Sequence, residues 1–249
     1  MQAYIFTDLD DTLFQTLKKC PIVAPSDLVV RASLPNGQPN SYATRQQQWL
    51  WQWLNQGFKV VPVTGRDYAA FQRVSLPFQE EVVLNHGAVI LDKQGNIDVL
   101  WLAERKKLLA DYEDKLLTIW QVVYDFCQYD QDYNLRLVQD FDVVWYVVIK
   151  HKSGTEQALH PVLSLIKEHP YIIDNSLYWH LNGNNFAILP KIINKQDAVS
   201  YLIHQYKCLY PELVTFAAGD SFSDAPFMAL CDYALLIKNT QLFSFLKSA

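Results

Sequence analysis

The sequence predicts an α/β protein: a mostly parallel sheet interrupted by an inserted α+β module. Three observations carry this. Short apolar runs, Tyr4 to Thr7, Phe58 to Val63 and Leu213 to Ala218, each end in a polar cluster, as strands buried on both faces do. Strand, helix, strand at this spacing requires parallel pairing. Between residues 87 and 187 the texture changes to a long helical stripe followed by paired strands.

Taken in order, Tyr4 to Thr7 is the first strand, and the acidic cluster Asp8-Leu9-Asp10-Asp11 stands at its carboxyl end, where open α/β sheets place their chemistry. Leu28 to Ser33 reads as a strand and Pro35-Asn36-Gly37 as a turn, so a hairpin or flap is expected. Thr44 and Gln47 form a capping-box pair ahead of a helix running to about Gln56. Trp49, Leu50, Trp53 and Leu54 are placed on one face, and helical spacing favours core packing over ligand stacking. Phe58 to Val63 is a strand ending in Thr64-Gly65-Arg66, and Glu81 to Leu84 a strand ending in Asn85-His86-Gly87. Leu213 to Ala218, a helix from about Asp224 and the strand Tyr233 to Ile237 complete a Rossmann-like core.

Within the insertion, Leu108, Tyr112, Leu116, Ile119, Val123 and Phe126 step by three or four, predicting one helix from Leu102 to Cys127. Leu135 to Gln139 and Val143 to Ile149 follow as antiparallel strands, then a helix between Thr155 and Glu168 whose start Pro161 obscures. Ser176 to Leu181 and Phe186 to Leu189 flank an Asn-Gly turn. Residues 1–86 and 188–249 are thus assigned to the core, and 87–187 to the insertion.

Composition narrows the function. Of 249 residues 50% are hydrophobic, ample for a buried core, and 21 Lys plus Arg against 26 Asp plus Glu give a net charge of −5. That excludes a protein living on nucleic-acid phosphates. The longest strongly apolar stretch, Val143 to Ile149, is far shorter than the roughly 20 residues that span a bilayer. Cys20, Cys127, Cys208 and Cys231 lack metal-ligand spacing and read as buried thiols in a reducing compartment. The first residues lack the basic and long apolar regions of a signal peptide, so a cytoplasmic location is expected. The chain has no HExxH, GxGxxG, GxxxxGK[ST] or GxSxG, the parts that zincins, dinucleotide binders, P-loop enzymes and α/β-hydrolases require.

Four features fall at strand ends or in the segment leading back into the core: Asp8-x-Asp10, Thr64, Lys195 and Asp220-x-x-x-Asp224. Singly each is a turn former or a cap. Jointly, the parallel sheet brings up to four carboxylates to one rim, where like charges repel and a cation is needed. An all-oxygen set without His or Cys suits Mg²⁺.

The motifs DLDDTLF, VTGR, NK and GDSFSD follow the order of the four motifs of the haloacid dehalogenase (HAD) superfamily, which the chain resembles across its parallel domain. The insertion lies where the family carries C2 caps and looks like the C2B variety. DLDDT, ILPKIINKQDAV and GDSFSDAPFM are similar to sucrose-phosphate phosphatases and Cof-like sugar phosphatases. The resemblance implies a Mg²⁺-dependent phosphomonoesterase whose cap shuts over a small phosphate ester, a sugar phosphate. It also implies the roles. Asp8 is the nucleophile that becomes an aspartyl-phosphate, and Asp10 the general acid and base. Thr64 and Lys195 hold phosphoryl oxygens, aided by the amides of Leu9 and Gly65. Asp8, the Asp10 carbonyl, Asp220 and Asp224, the last directly or through water, hold the metal.

The sequence departs from the common pattern at Asp11, where many members have Gly, at Ser221 and Ser223, which replace the Gly and Asn of GDGxND, and at Gln196. Asp11 reads as a solvated turn residue. Lys191 is a rival to Lys195, and position before the following helix favours Lys195. Arg66 is assigned to substrate phosphate, with pairing to a carboxylate as its alternative. His180, Asn182, Asn184 and Asn185 read as turn formers rather than hydroxyl binders, and His86 as a strand-end residue. A phosphotransferase or phosphosugar mutase, or a catalytically silent binding protein on the same scaffold, are the competing functions.

Overall fold

The computed structural model describes residues 2–22 and 24–248. In chain order the strands and helices are β1 (Gln2–Thr7), β2 (Gln15–Thr16), β3 (Val29–Ser33), β4 (Pro39–Ala43), α1 (Arg45–Gly57), β5 (Lys59–Pro62), α2 (Tyr68–Phe71), β6 (Val82–Leu84) and β7 (Val89–Leu91). Then come α3 (Val99–Leu109), α4 (Glu113–Cys127), β8 (Tyr133–Asp140), β9 (Val143–His151), α5 (His160–Ile166), α6 (Pro170–Ile173), β10 (Leu177–Leu181) and β11 (Phe186–Pro190). The chain closes with α7 (Lys195–Leu209), β12 (Leu213–Gly219), α8 (Ala225–Met228), β13 (Tyr233–Leu236) and α9 (Gln241–Ser248). It divides into two compact units, 1–99 with 194–249, and 100–193. The divisions fall later than residues 86 and 188 for two reasons. β7 pairs back onto β6, and β11 is a full member of the second unit's sheet.

The first unit is built on a parallel sheet of order β13-β12-β1-β5, with β6 joined by the parallel bridge Val63↔Val83. Tyr4, Ile5 and Phe6 are wholly buried, because successive side chains of β1 enter opposite layers. Ile5 joins the cluster containing Trp51 and Leu54 of α1. Tyr4 and Phe6 turn to α7, where the Tyr206 ring stacks on both, at 4.1 and 6.2 Å between centroids. One register places Thr7 beside both Ala218 and Pro62. The residues that follow β1, β5 and β12 therefore emerge at one rim.

The expected hairpin is present, β3 against β4. Thr44 and Gln47 form their capping box, Gln47 N donating to Thr44 Oγ1 at 3.3 Å and Thr44 N to Gln47 Oε1 at 3.0 Å. The buried face of α1 is Gln47, Trp51 and Leu54, which corrects the expected stripe. At 3.6 residues per turn these three fall within an arc of about 60°. Trp49 and Trp53 lie on the other side, 64% and 40% exposed, stacked on each other at 6.2 Å.

The second unit carries an antiparallel sheet of order β10-β11-β9-β8 with α3 to α6. The single helix expected over 102–127 is two, α3 and α4, joined by a 3-10 turn at Ala110–Tyr112. The charges show why. Lys106 and Lys107 stand in the last turn of α3, and Glu113 and Asp114 in the first turn of α4, each favourable to a helix dipole that ends and restarts. Pro161 falls in the first turn of α5, where its missing N–H costs nothing. Asn184 is a structural clamp, its Oδ1 accepting from His151 N at 2.9 Å and its Nδ2 donating to His151 O at 2.8 Å. The cysteines are unpaired; Cys127 is buried, but Cys208 is exposed, contrary to expectation, because it lies off the apolar stripe of α7. Among the described residues no helix is long and apolar enough to cross a membrane.

The two faces of α1 predict a contrast in stability. Trp51→Ala is expected to destabilise the protein by about 3–5 kcal/mol, and Trp49→Ala by no more than about 0.5 kcal/mol, measured as shifts in urea midpoint.

Candidate active site

Asp8 follows β1 and continues its ladder, its N–H donating to Ala218 O at 2.9 Å. Its carboxyl group is buried. Lys195 Nζ donates to Asp8 Oδ1 at 2.6 Å and to Asp224 Oδ1 at 2.6 Å. The lysine is the first residue of α7, which Asn194 caps by accepting from Asp197 N. Its side chain is 4% exposed, whereas Lys191 lies exposed beyond the end of β11. Asp220 follows β12, and carboxylate oxygens of Asp8, Asp220 and Asp224 lie within 4.8 Å of one another.

Asp224 is held from both sides. While Oδ1 meets Lys195, Oδ2 accepts from Asp220 N at 3.1 Å, Ser221 N at 3.0 Å and Ser221 Oγ at 2.7 Å. Ser221 therefore contributes a bond that a glycine there would lack. A hydroxyl three residues before an Asp is a turn signal legible in the sequence, and here it makes Ser221 more than a departure from GDGxND.

The electrostatics separate these acids. Burial drives the Asp8 carboxyl well above the usual range; Lys195 opposes the shift, while Asp224, Asp220 and Asp10 add to it. Burial, Asp224 and Asp11 push Asp220 up to about 8. Burial acts on Asp224 too, but Lys195 and the Ser221 bonds outweigh it and hold that carboxyl below its ordinary value. Lys195 is raised despite burial by the carboxylates it meets. Ionising all three acids beside one ammonium would leave an excess of negative charge for a cation to balance, and the donors are hard oxygens. This set fits Mg²⁺, with Asp8 and Asp220 better disposed as direct ligands than Asp224, whose oxygens are engaged.

Asp10 is separate from that cluster. Its carboxylate receives Arg66 in a two-point grip, Nε to Oδ2 and Nη2 to Oδ1, each 2.7 Å. The structure thus brings Arg66 to a carboxylate, the alternative to its assignment to phosphate. Thr64 is buried at the end of β5 and its Oγ1 accepts from Arg66 N at 3.1 Å, leaving the hydroxyl hydrogen to donate. The Leu9 side chain lies in the core, so only its backbone can face the rim. Asp11 takes φ 64°, a left-handed conformation that Asp tolerates, and pairs with Lys19. Its side chain is 17% exposed, less solvated than the turn reading held. His86, read as a strand-end residue, is buried with φ 56°.

A family model described as haloacid dehalogenase-like hydrolase matches residues 5–241. No curated protein matches the chain. The fold is shared with solved structures. One is the sucrose-phosphatase of Synechocystis in complex with sucrose and phosphate, at TM-score 0.55 and 14% identity, covering 100% of this chain and 97% of that one. Another is the C-terminal domain of trehalose-6-phosphate phosphatase from C. albicans, at TM-score 0.59 and 13% identity, covering 91% and 72%. A Streptococcus mutans protein, SMU.1108c, has TM-score 0.55 and 14% identity, covering 100% and 91%. With the family model spanning nearly its whole length, this chain belongs to the haloacid dehalogenase-like hydrolases and is an enzyme with the fold of their phosphatases.

Proposed function

We propose that this protein is a Mg²⁺-dependent phosphomonoesterase that hydrolyses a small phosphorylated metabolite, a sugar phosphate, through an aspartyl-phosphate on Asp8. The observation that carries the reading is Lys195 Nζ, 2.6 Å from both Asp8 and Asp224 inside a buried acidic cluster. Two proteins of the same fold, a sucrose-phosphatase and a trehalose-6-phosphate phosphatase, support the sugar phosphate.

Mg²⁺, when bound at Asp8, Asp220 and the Asp10 carbonyl, supplies charge neutralisation for the phosphoryl group and orients it. In the first step an Asp8 oxygen bonds to phosphorus as the ester P–O bond breaks, and Asp10 gives its proton to the departing alkoxide. In the second, Asp10 takes a proton from water as the water oxygen bonds to phosphorus and the Asp8–phosphorus bond breaks. Lys195 holds phosphoryl oxygens while Asp224 anchors the ammonium, and the Thr64 hydroxyl and the Leu9 and Gly65 amides donate to the same oxygens. Arg66 orients Asp10 by donating one charged hydrogen bond to each of its oxygens. Delivery of a proton in the first step requires one of those bonds to open.

Activity tests this directly. Phosphate release from p-nitrophenyl phosphate should be abolished by Asp8→Asn and by chelation, and be restored to the wild type by added Mg²⁺; release that survives both would overturn the reading. Asp10→Asn should lower kcat by roughly 10²–10⁴-fold, with turnover of esters of poor leaving groups losing most. Across sugar, polyol, glycerate and nucleotide phosphates, the highest kcat/KM should fall on a sugar phosphate, a class that a nucleotide preference would eliminate.

Metal and pH are linked through Asp220. Its carboxyl group is raised to about 8 in the metal-free protein and stands near 3.9 when unfolded. Between these values the folded state keeps a proton that the unfolded chain has lost. Metal-free stability should therefore fall as pH rises from about 5 to 8. Mg²⁺ must displace that proton, so the rise in Tm on adding it should be larger at pH 8 than at pH 6. Calorimetric scans at both pH values check the sign.

A further inference from the structure

Asn85, His86 and Gly87 form a buried turn with three successive left-handed residues, φ 51°, 56° and 102°. Non-glycine residues rarely adopt that region, and this pair, unlike Phe141-Asp142 in the β8–β9 turn, is buried and held by surrounding contacts. Here the contacts reach two segments assigned to phosphate. Thr64 N donates to Val83 O at 2.9 Å, His86 N to Thr64 O at 3.1 Å and Asn85 N to Arg66 O at 2.9 Å. In a trans peptide the C=O and the next N–H point in opposite directions, so tying the Thr64 carbonyl to His86 turns the Gly65 N–H away from the turn. The imidazole then packs on Gly65 itself. A Cβ there would stand 2.5 Å from His86 Cε1 and Nε2. On its other side the turn abuts the start of α7, where a Cβ on Gly87 would stand 2.1 Å from Asn194 O, next to Lys195.

We infer that His86 is a positioning residue, its ring and amide fixing the Thr64–Gly65 peptide so that the Gly65 N–H is presented to a phosphoryl oxygen. This rests on the phosphatase reading for its purpose, and on the packing of His86 against Gly65 for its substance. The reciprocal fit makes it testable. Gly65 does not have a positive φ, so alanine suits its backbone, and the three atoms nearest to the added Cβ all belong to the imidazole.

The test is a double-mutant cycle of Gly65→Ala and His86→Asn. Asparagine tolerates the left-handed conformation while withdrawing the ring. Three quantities are measured: kcat/KM on p-nitrophenyl phosphate, the Kd of inorganic phosphate with Mg²⁺ present, and Tm. Each single variant should lower kcat/KM and weaken phosphate binding by roughly 10- to 100-fold. The double variant should lose little more than either single variant, a non-additivity of roughly 3- to 100-fold. Additive losses, or coupling seen in Tm alone, would overturn the inference and leave the turn a structural element. If the wild type releases no phosphate from any ester, the phosphatase reading fails while the phosphate Kd cycle still judges the positioning of Gly65. Should Gly65→Ala not fold, His86→Asn decides alone: weaker phosphate binding at an unchanged Tm supports the role, and unchanged binding with full activity refutes it.

Discussion

The ammonium of Lys195 is the interaction on which the site depends. It lies in the interior of the first unit between Asp8 and Asp224, 187 residues from the one and 29 from the other in sequence. Removing an ion pair of this kind from water is costly, and the attraction repays that cost only when geometry and further hydrogen bonds are good. The parallel sheet supplies that geometry. Strands β1 and β12 are adjacent and in register, so Asp8 and Asp220 leave the sheet side by side, and α7 begins with its lysine directed between the two acidic segments. A buried carboxylate deprived of the ammonium would be left uncompensated, so the contact holds three distant segments of chain in a single arrangement.

One residue type serves several purposes here through differences in environment alone. Asp224, with one oxygen on an ammonium and the other accepting three hydrogen bonds, is ionised and fixed. Its contribution is to hold Lys195 and the turn after β12. Asp220 has neighbouring negative charge and burial against it, so its ionisation needs a cation nearby. Asp10 differs again: it is partly exposed and gripped by Arg66 at both oxygens. Divergent environments for equivalent groups are how acid and base tasks are divided at a single pH.

The sequence carried the architecture because a strand buried on both faces has to be apolar throughout and parallel pairing follows from the spacing of helices. The polar residues at strand ends were legible for the same reason. Other features were less so. The phase of α1 was misread because Trp49, Trp51 and Trp53 are all apolar, and composition cannot say which of three tryptophans faces inward; the buried polar Gln47, bound to the cap, sets the phase instead. The break between α3 and α4 has no Pro or Gly to announce it, only a change in charge sign. Arg66 had two available partners, and nothing in its spacing chose between them.

The Asn85-His86-Gly87 turn shows why such residues escape a reading by motif. Their importance lies in φ values and in close approach to Gly65 and Asn194, and neither is encoded in residue type. A histidine after a strand reads as an ordinary loop residue until the fold brings it onto a glycine 21 positions earlier in the chain. The glycine in turn reads as flexible, yet its backbone is conventional and it is required for space. The two residues explain each other: the small one exists where the ring must lie, and the ring holds in place the peptide that the small one leaves exposed. A binding loop made rigid in this way loses little freedom when an anion arrives, so more of each amide hydrogen bond is available to a phosphoryl group whose charge grows on the reaction path.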